Sequence, residues 1–248
     1  MIIIEACVNS PFSAMEADKG GAHRVELCDN LYEGGTTPSA AAILVTRQNI
    51  GIALHVLVRP RGGDFLYSDI EFEVMMQDIL FCKQNGVKGV VIGLLKADGS
   101  IDIQRTQELV KVASPMNVTF HRAFDMVADP LQALEDVISS GCNRILTSGL
   151  SNKAWDGRGM IASLVQKANG RIIIMAGSGI NADNAASLIR LTGVTEIHTS
   201  SRTSYLSNMT YQTDKVFMGG LPQIPEYENA FTDSLKIQSI VQSVCTKS

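Results

Sequence analysis

Two short stretches each place a carboxylate and a thiol two residues apart: Glu5 and Cys7 in "IIIEAC", and Glu26 and Cys28 in "HRVELC". An arginine, Arg59, closes the run "IALHVLVR", and histidines stand at 121 in "NVTFHRAFDM" and at 198 in "TEIHTSS". Carboxylates and imidazoles move protons, a guanidinium holds anions, and thiolates bind soft cations. Residues this far apart in the chain work together only if the elements carrying them surround one centre.

Those elements repeat. Runs rich in Val and Ile begin at Ile2, His23, Ile52, Lys88, Asn117, Asn143, Arg171 and Thr195, which gives eight expected strands. Helical spacing fills stretches between them, such as Ser10 to Lys19, Ile70 to Asn85, Asp102 to Ala113, Pro130 to Ser140 and Ala182 to Leu191. Glycines at 20, 86, 141, 170 and 193 fall where helices should end, and Asp129 before Pro130 marks a helix start. Strict alternation of near-continuous apolar strands with helices means a parallel sheet covered on both faces. Eight such units in 248 residues predict an α/β fold of the (β/α)8 TIM barrel type. No linker divides the chain, so 1–248 reads as a single domain. An irregular extension, 203–234, follows the eighth strand and carries Pro222 and Pro225.

In such a barrel the ligand site lies at the C-terminal ends of the strands. Alternate strand residues share a face, so Ile4 and Ala6, Val25 and Leu27, and Val56 and Val58 suit the helix layer. Parity then turns Glu5, Cys7, Glu26, Cys28, Arg59, His121 and His198 inward, with His55 sharing the face of Arg59 and Glu196 that of His198. Charge taken out of water costs several kcal/mol unless paired, so the ring reads either as a ligand site or as a salt-bridge network closing the barrel mouth.

Loops add further groups. In "RPRGGDF" a glycine pair lies between Arg61 and Asp64, a turn that brings a guanidinium to an anion or pairs it with Asp64. Arg122 and Asp125 read equally as catalysts or as a loop-ordering pair. After the seventh and eighth strands, "AGSGI" and "HTSSR" offer Gly177, Gly179, Ser200, Ser201 and Arg202, the position where many barrels bind phosphate. A tight turn that needs glycine is the alternative there.

Composition limits the partners. Hydrophobic residues make up 45% and charged ones 19%, ordinary for a globular chain, and the net charge of -4 offers no basic surface to nucleic acid. No apolar run is long enough to span a membrane, and the N-terminus lacks a basic leader, so a soluble cytoplasmic protein is expected. The five cysteines are then reduced thiols, with Cys82, Cys142 and Cys245 in unremarkable packing positions.

"VELCDNLYEGGTTPS", "RPRGGDFLYSD", "VTFHRAFDM" and "ILTSG" together resemble the CutC family, and the similarity runs from Ile4 to about Arg202. The resemblance implies a cytoplasmic TIM barrel, often a homo-oligomer, with a role in copper homeostasis and a Cu(I) site at Cys7 and Cys28. Two functions therefore compete. One is copper handling through the two thiols. The other is a barrel enzyme, a lyase, isomerase or hydrolase, acting on a small anionic or phosphorylated metabolite. There Glu5 or Glu26 would be the base, His121 the acid or proton shuttle, and Arg59 or Arg61 the anion clamp.

Overall fold

All eight apolar runs form strands in the computed structural model, which describes residues 1–219 and 224–245: β1 (Ile3–Val8), β2 (Arg24–Leu27), β3 (Ala53–Leu57), β4 (Gly89–Ile92), β5 (Asn117–Phe120), β6 (Arg144–Thr147), β7 (Ile173–Gly177) and β8 (Glu196–Thr199). Each pairs in parallel with the next, and β8 returns to β1 through Ile3↔Glu196 and Glu5↔His198, which closes the barrel. Helices α1 (Pro11–Lys19), α2 (Ala40–Asn49), α3 (Asp69–Gln84), α4 (Ile103–Ala113), α5 (Pro130–Ser139), α6 (Arg158–Ala168), α7 (Ala185–Thr192) and α8 (Ser234–Cys245) surround it. The chain is thus a (β/α)8 barrel. None of the described helices is long and apolar enough to cross a membrane.

Local chemistry sets the helix ends. Ser68 and Glu71 form a reciprocal cap at the start of α3, and Asp129 accepts from the amides of Leu131 and Gln132 at the start of α5. Gly141 and Gly193 take the left-handed conformation expected after a helix. Gly20 does not: its φ is -73°, and it is glycine for closeness, since a Cβ there would lie 2.6 Å from Cβ of Ile237 on α8. The neighbouring Gly21 makes the left-handed turn instead.

The extension after β8 is more regular than its composition implies. Its two ends pair as antiparallel strands, β9 (Arg202–Leu206) and β10 (Glu228–Thr232). Phe231 meets Phe12 of α1 edge-on at 5.2 Å, and the amide of Thr232 donates to Ser13. Pro222 lies outside the described residues. The hairpin delivers the chain to α8, whose Ile237 and Ile240 complete the core beside α1.

Outward-facing strand residues, among them Ile4, Ala6, Val25, Leu27, Val56, Val90, Phe120 and Ile197, are buried against the helices. The inside is different. Barrel interiors are usually filled by branched apolar side chains, but here Arg24 donates to both Glu5 and Glu196, and Arg144 donates to Glu196 at 3.2 Å and to Thr119 at 3.4 Å. Two guanidinium groups and two carboxylates balance in a region closed to water. Removing one member strands the others, which typically costs about 3–5 kcal/mol. Arg24→Met should therefore lower the unfolding free energy by roughly that amount in a urea titration, and adding Glu5→Gln should restore part of the loss. A loss below about 1 kcal/mol would show that the network carries no such weight.

Candidate functional site

Above this charged layer, at the C-terminal mouth, lies a cavity of about 400 Å³. Cys7, Glu26, Cys28, Arg59, His121 and His198 line it, together with the apolar Leu31, Leu57, Phe65, Met126 and Leu146. Six of the residues read as inward-facing therefore meet in one place. Glu5 sits one layer deeper, beneath the cavity rather than in its wall.

Its burial decides its role. Desolvation favours the neutral acid, but the charge of Arg24 and the hydrogen bond from His198 outweigh it and hold the Glu5 carboxyl well below the usual range. A carboxylate held so low is a poor base. Instead Glu5 accepts from Nδ1 of His198 at 2.8 Å, which fixes the ring and leaves Nε2 facing Oε2 of Glu26 at 3.7 Å. Against the opposing effect of burial, Cys7, Glu26 and Glu5 together raise the imidazole well above its ordinary value, so His198 is a cation.

The thiols lie beside it. Cys7 Sγ is 3.8 Å from Cys28 Sγ, and Cys28 Sγ is 3.5 Å from Oε2 of Glu26. The hydrogen bond from Cys28, opposed by burial and aided by His198, lowers Cys7 well below an ordinary thiol, while the same bond and burial raise Cys28. These opposite directions favour Cys7 as the thiolate and Cys28 as the donor. By contrast, burial alone pushes Cys142 up to about 12 and is the larger cause of the same shift at Cys82. Ligand atoms of Cys7, Glu26 and His198 lie within 4.8 Å of one another. Metal–sulfur bonds of about 2.3 Å at a tetrahedral angle separate two sulfurs by about 3.8 Å, so the thiol pair fits a shared soft cation as it stands.

Two further histidines are neutral. Burial lowers His55 to about 3, and burial with the charge of Arg59 lowers His121 to about 3. Glycines make room for both rings: a Cβ at Gly89 would lie 2.5 Å from His55 Nε2, and one at Gly93 would lie 2.3 Å from His121 Cε1.

Several expected loop groups lie elsewhere. Arg61 pairs with Glu71 at 2.6 Å and Asp64 at 3.0 Å and lies over the Tyr67 ring, so it orders its own loop. Asp125 does line the cavity, but it accepts from Thr147, Ser148, Leu150 and Arg122 and so ties down the loop after β6. Gly177, Gly179, Ser200 and Ser201 do not line the cavity. Gly177 is small because Leu146 Cδ1 would come within 2.5 Å of a Cβ, Ser200 is exposed, and Ser201 bonds to Thr199. Arg24 and Arg144 carried no role in the sequence reading, although Arg24 precedes Glu26 by two residues and shares its face by the same parity.

Glu26 gives the site a pH signature. Burial raises its carboxyl from 4.5 to about 8; the charge of His198 opposes this, while Cys7 and Glu5 add to it. The folded protein then binds more protons than the unfolded chain between those values, so stability falls as pH rises through that window. Glu26→Gln cannot ionise. Its advantage over wild type should be small near about pH 4.5 and grow to roughly 2–4 kcal/mol by about pH 8, read from urea unfolding at both. An advantage that does not change with pH would contradict the shift.

Residues 2–203 match the CutC family. A family protein CutC of Chromobacterium violaceum is 46% identical over 242 residues, covering 98% of both chains. The human copper homeostasis protein cutC homolog is 44% identical over 238 residues, 96% of this chain and 87% of that one. A crystal structure of CutC from Streptococcus agalactiae superposes with a TM-score of 0.77 at 36% identity, over 81% of this chain and 99% of the other. With a family match across most of its length and relatives of this identity, the chain belongs to the CutC family.

Proposed function

We propose that the protein binds Cu(I) as its cargo, through the thiolates of Cys7 and Cys28 with His198 as a third donor, and that it serves copper homeostasis. One observation carries this reading: the 3.8 Å separation of the two sulfurs in the wall of the cavity at the barrel mouth. Cuprous ion prefers thiolate and accepts imidazole, and it needs no carboxylate. Cys7 is favoured as the thiolate, whereas Cys28 and the His198 imidazolium must each lose a proton to bind, so uptake releases protons from both and weakens as pH falls. A reducing cytoplasm keeps both thiols available. The name of the human relative supports the same reading.

A second reading is a barrel enzyme acting on a small anionic or phosphorylated metabolite. It is favoured by His198, which Glu5 orients at 2.8 Å and which faces Glu26, an arrangement able to pass a proton across the cavity.

Competition against a chromophoric Cu(I) chelator under reducing conditions tests the first reading. Wild type should take up one Cu(I) per chain, and Cys7→Ser/Cys28→Ser should bind it at least about 100-fold more weakly. Equal affinity in the variant, or no uptake by wild type, would overturn it.

A further inference from the structure

Arg59 is the one cavity-lining cation here whose charge meets no carboxylate among the described residues. It is 5% exposed, and its Nη1 and Nη2 donate only to backbone carbonyls, those of Glu33, Gly35 and Gly63 at 2.7–2.9 Å. Arg122, in the same wall, is half-exposed and paired with Asp125. Neutral carbonyls satisfy hydrogen bonds but leave net positive charge in a place of low dielectric. Moreover, Nε of Arg59 is buried without a partner.

His121 shows the same condition. It is 6% exposed, and its Nδ1 accepts from the amide of Ala123 at 3.0 Å, so the ring proton sits on Nε2. That N–H also has no partner. The two residues flank one ring: Arg59 lies 5.1 Å from the centroid of Phe65, and the His121 ring lies 5.0 Å from it. Arg59 follows β3, the strand next to β2, and His121 follows β5, so this wall adjoins the β8, β1 and β2 side that carries the thiols and His198 and extends around the mouth from it.

We propose that Arg59 and His121 form a carboxylate-binding subsite and that the cavity takes a small organic acid. Two N–H donors beside one uncompensated positive charge match the two oxygens and single charge of a carboxylate. A phosphate would bring a third oxygen and more charge, whereas the further unpartnered group beside Arg59 among the described residues, the Tyr67 hydroxyl, is neutral and leaves Arg59 as the single unpaired charge. A volume of about 400 Å³ lies at the small end of ligand sites, which suits an acid of a few carbons. The subsite goes beyond the copper reading and narrows the enzyme reading to organic acids.

Calorimetric titration of copper-free protein with acetate, succinate and inorganic phosphate tests this, and its outcome does not depend on whether the thiols hold copper. Succinate and acetate should bind saturably and more tightly than phosphate. His121→Phe, which keeps the ring against Phe65 and removes the donor, should weaken succinate at least about tenfold, and Arg59→Met should do the same. Circular dichroism on each variant separates loss of the subsite from loss of fold; if Arg59→Met unfolds, His121→Phe decides alone. Phosphate binding as tight as succinate, unchanged affinity in folded His121→Phe, or no saturable succinate binding below about 100 mM would each overturn the subsite.

Discussion

Charge placed inside a closed barrel has to be neutralised by other side chains of the barrel, because water does not reach it. Arg24 meets that demand by bridging Glu5 and Glu196 from neighbouring and more distant strands, and everything above it depends on the bridge. With one oxygen of Glu5 held by Arg24, the other is free to take Nδ1 of His198. The oriented imidazolium then sets the charge state of its neighbours, favouring the Cys7 thiolate and opposing the neutral form of Glu26 that burial favours. A contact in the middle of the barrel thus reaches the cavity through one carboxylate and one ring.

The same accounting of charge divides the mouth into two halves. Around β8, β1 and β2 the buried groups Glu5, Arg24, His198 and Glu26 each have a counterpart within hydrogen-bonding or ion-pairing reach. Around the ends of β3 and β5 the Arg59 charge meets only carbonyls, and the neighbouring His121 is neutral. One half is complete within the chain and presents sulfur; the other is positive and presents N–H. A ligand reaching from one to the other needs both an anionic group and a part that tolerates thiolates.

The fold was legible because its signals are local. Eight Val- and Ile-rich runs spaced by helical stretches gave the strand number, and parity along five of them turned Glu5, Glu26, Cys7, Cys28, Arg59, His121 and His198 inward, as they stand in the barrel. Depth along the strand was not legible: parity places Glu5 and Cys7 on one face but does not say that the first lies under the cavity and the second in it. Loop geometry was hidden for a related reason. Arg61 and Gly177 occupy promising positions, but the contacts that employ them come from other elements, Glu71 on α3 and Leu146 on β6, which no local period connects to them. Arg24 and Arg144 fell inside apolar runs, where an arginine reads as a strand edge rather than as the counter-ion for two buried acids.

Register explains why the thiols meet although their residues are not paired. Cys7 stands opposite Glu26 in the β1–β2 ladder, and Cys28 lies two positions further along, past the last paired residue of β2. A flat pair of strands would hold such a diagonal pair apart, but the tilt that closes a barrel leans one strand end over the next. The amide of Cys28 still bonds to Val8, so its thiol is carried back toward Cys7 and the sulfurs come to 3.8 Å. A slip of one residue between β1 and β2 would keep the barrel's apolar content but turn Cys28 and Glu26 toward the helix layer. The hydrophobic pattern of Val25 and Leu27, which forbids that slip, therefore also fixes the distance between two thiols that it never touches.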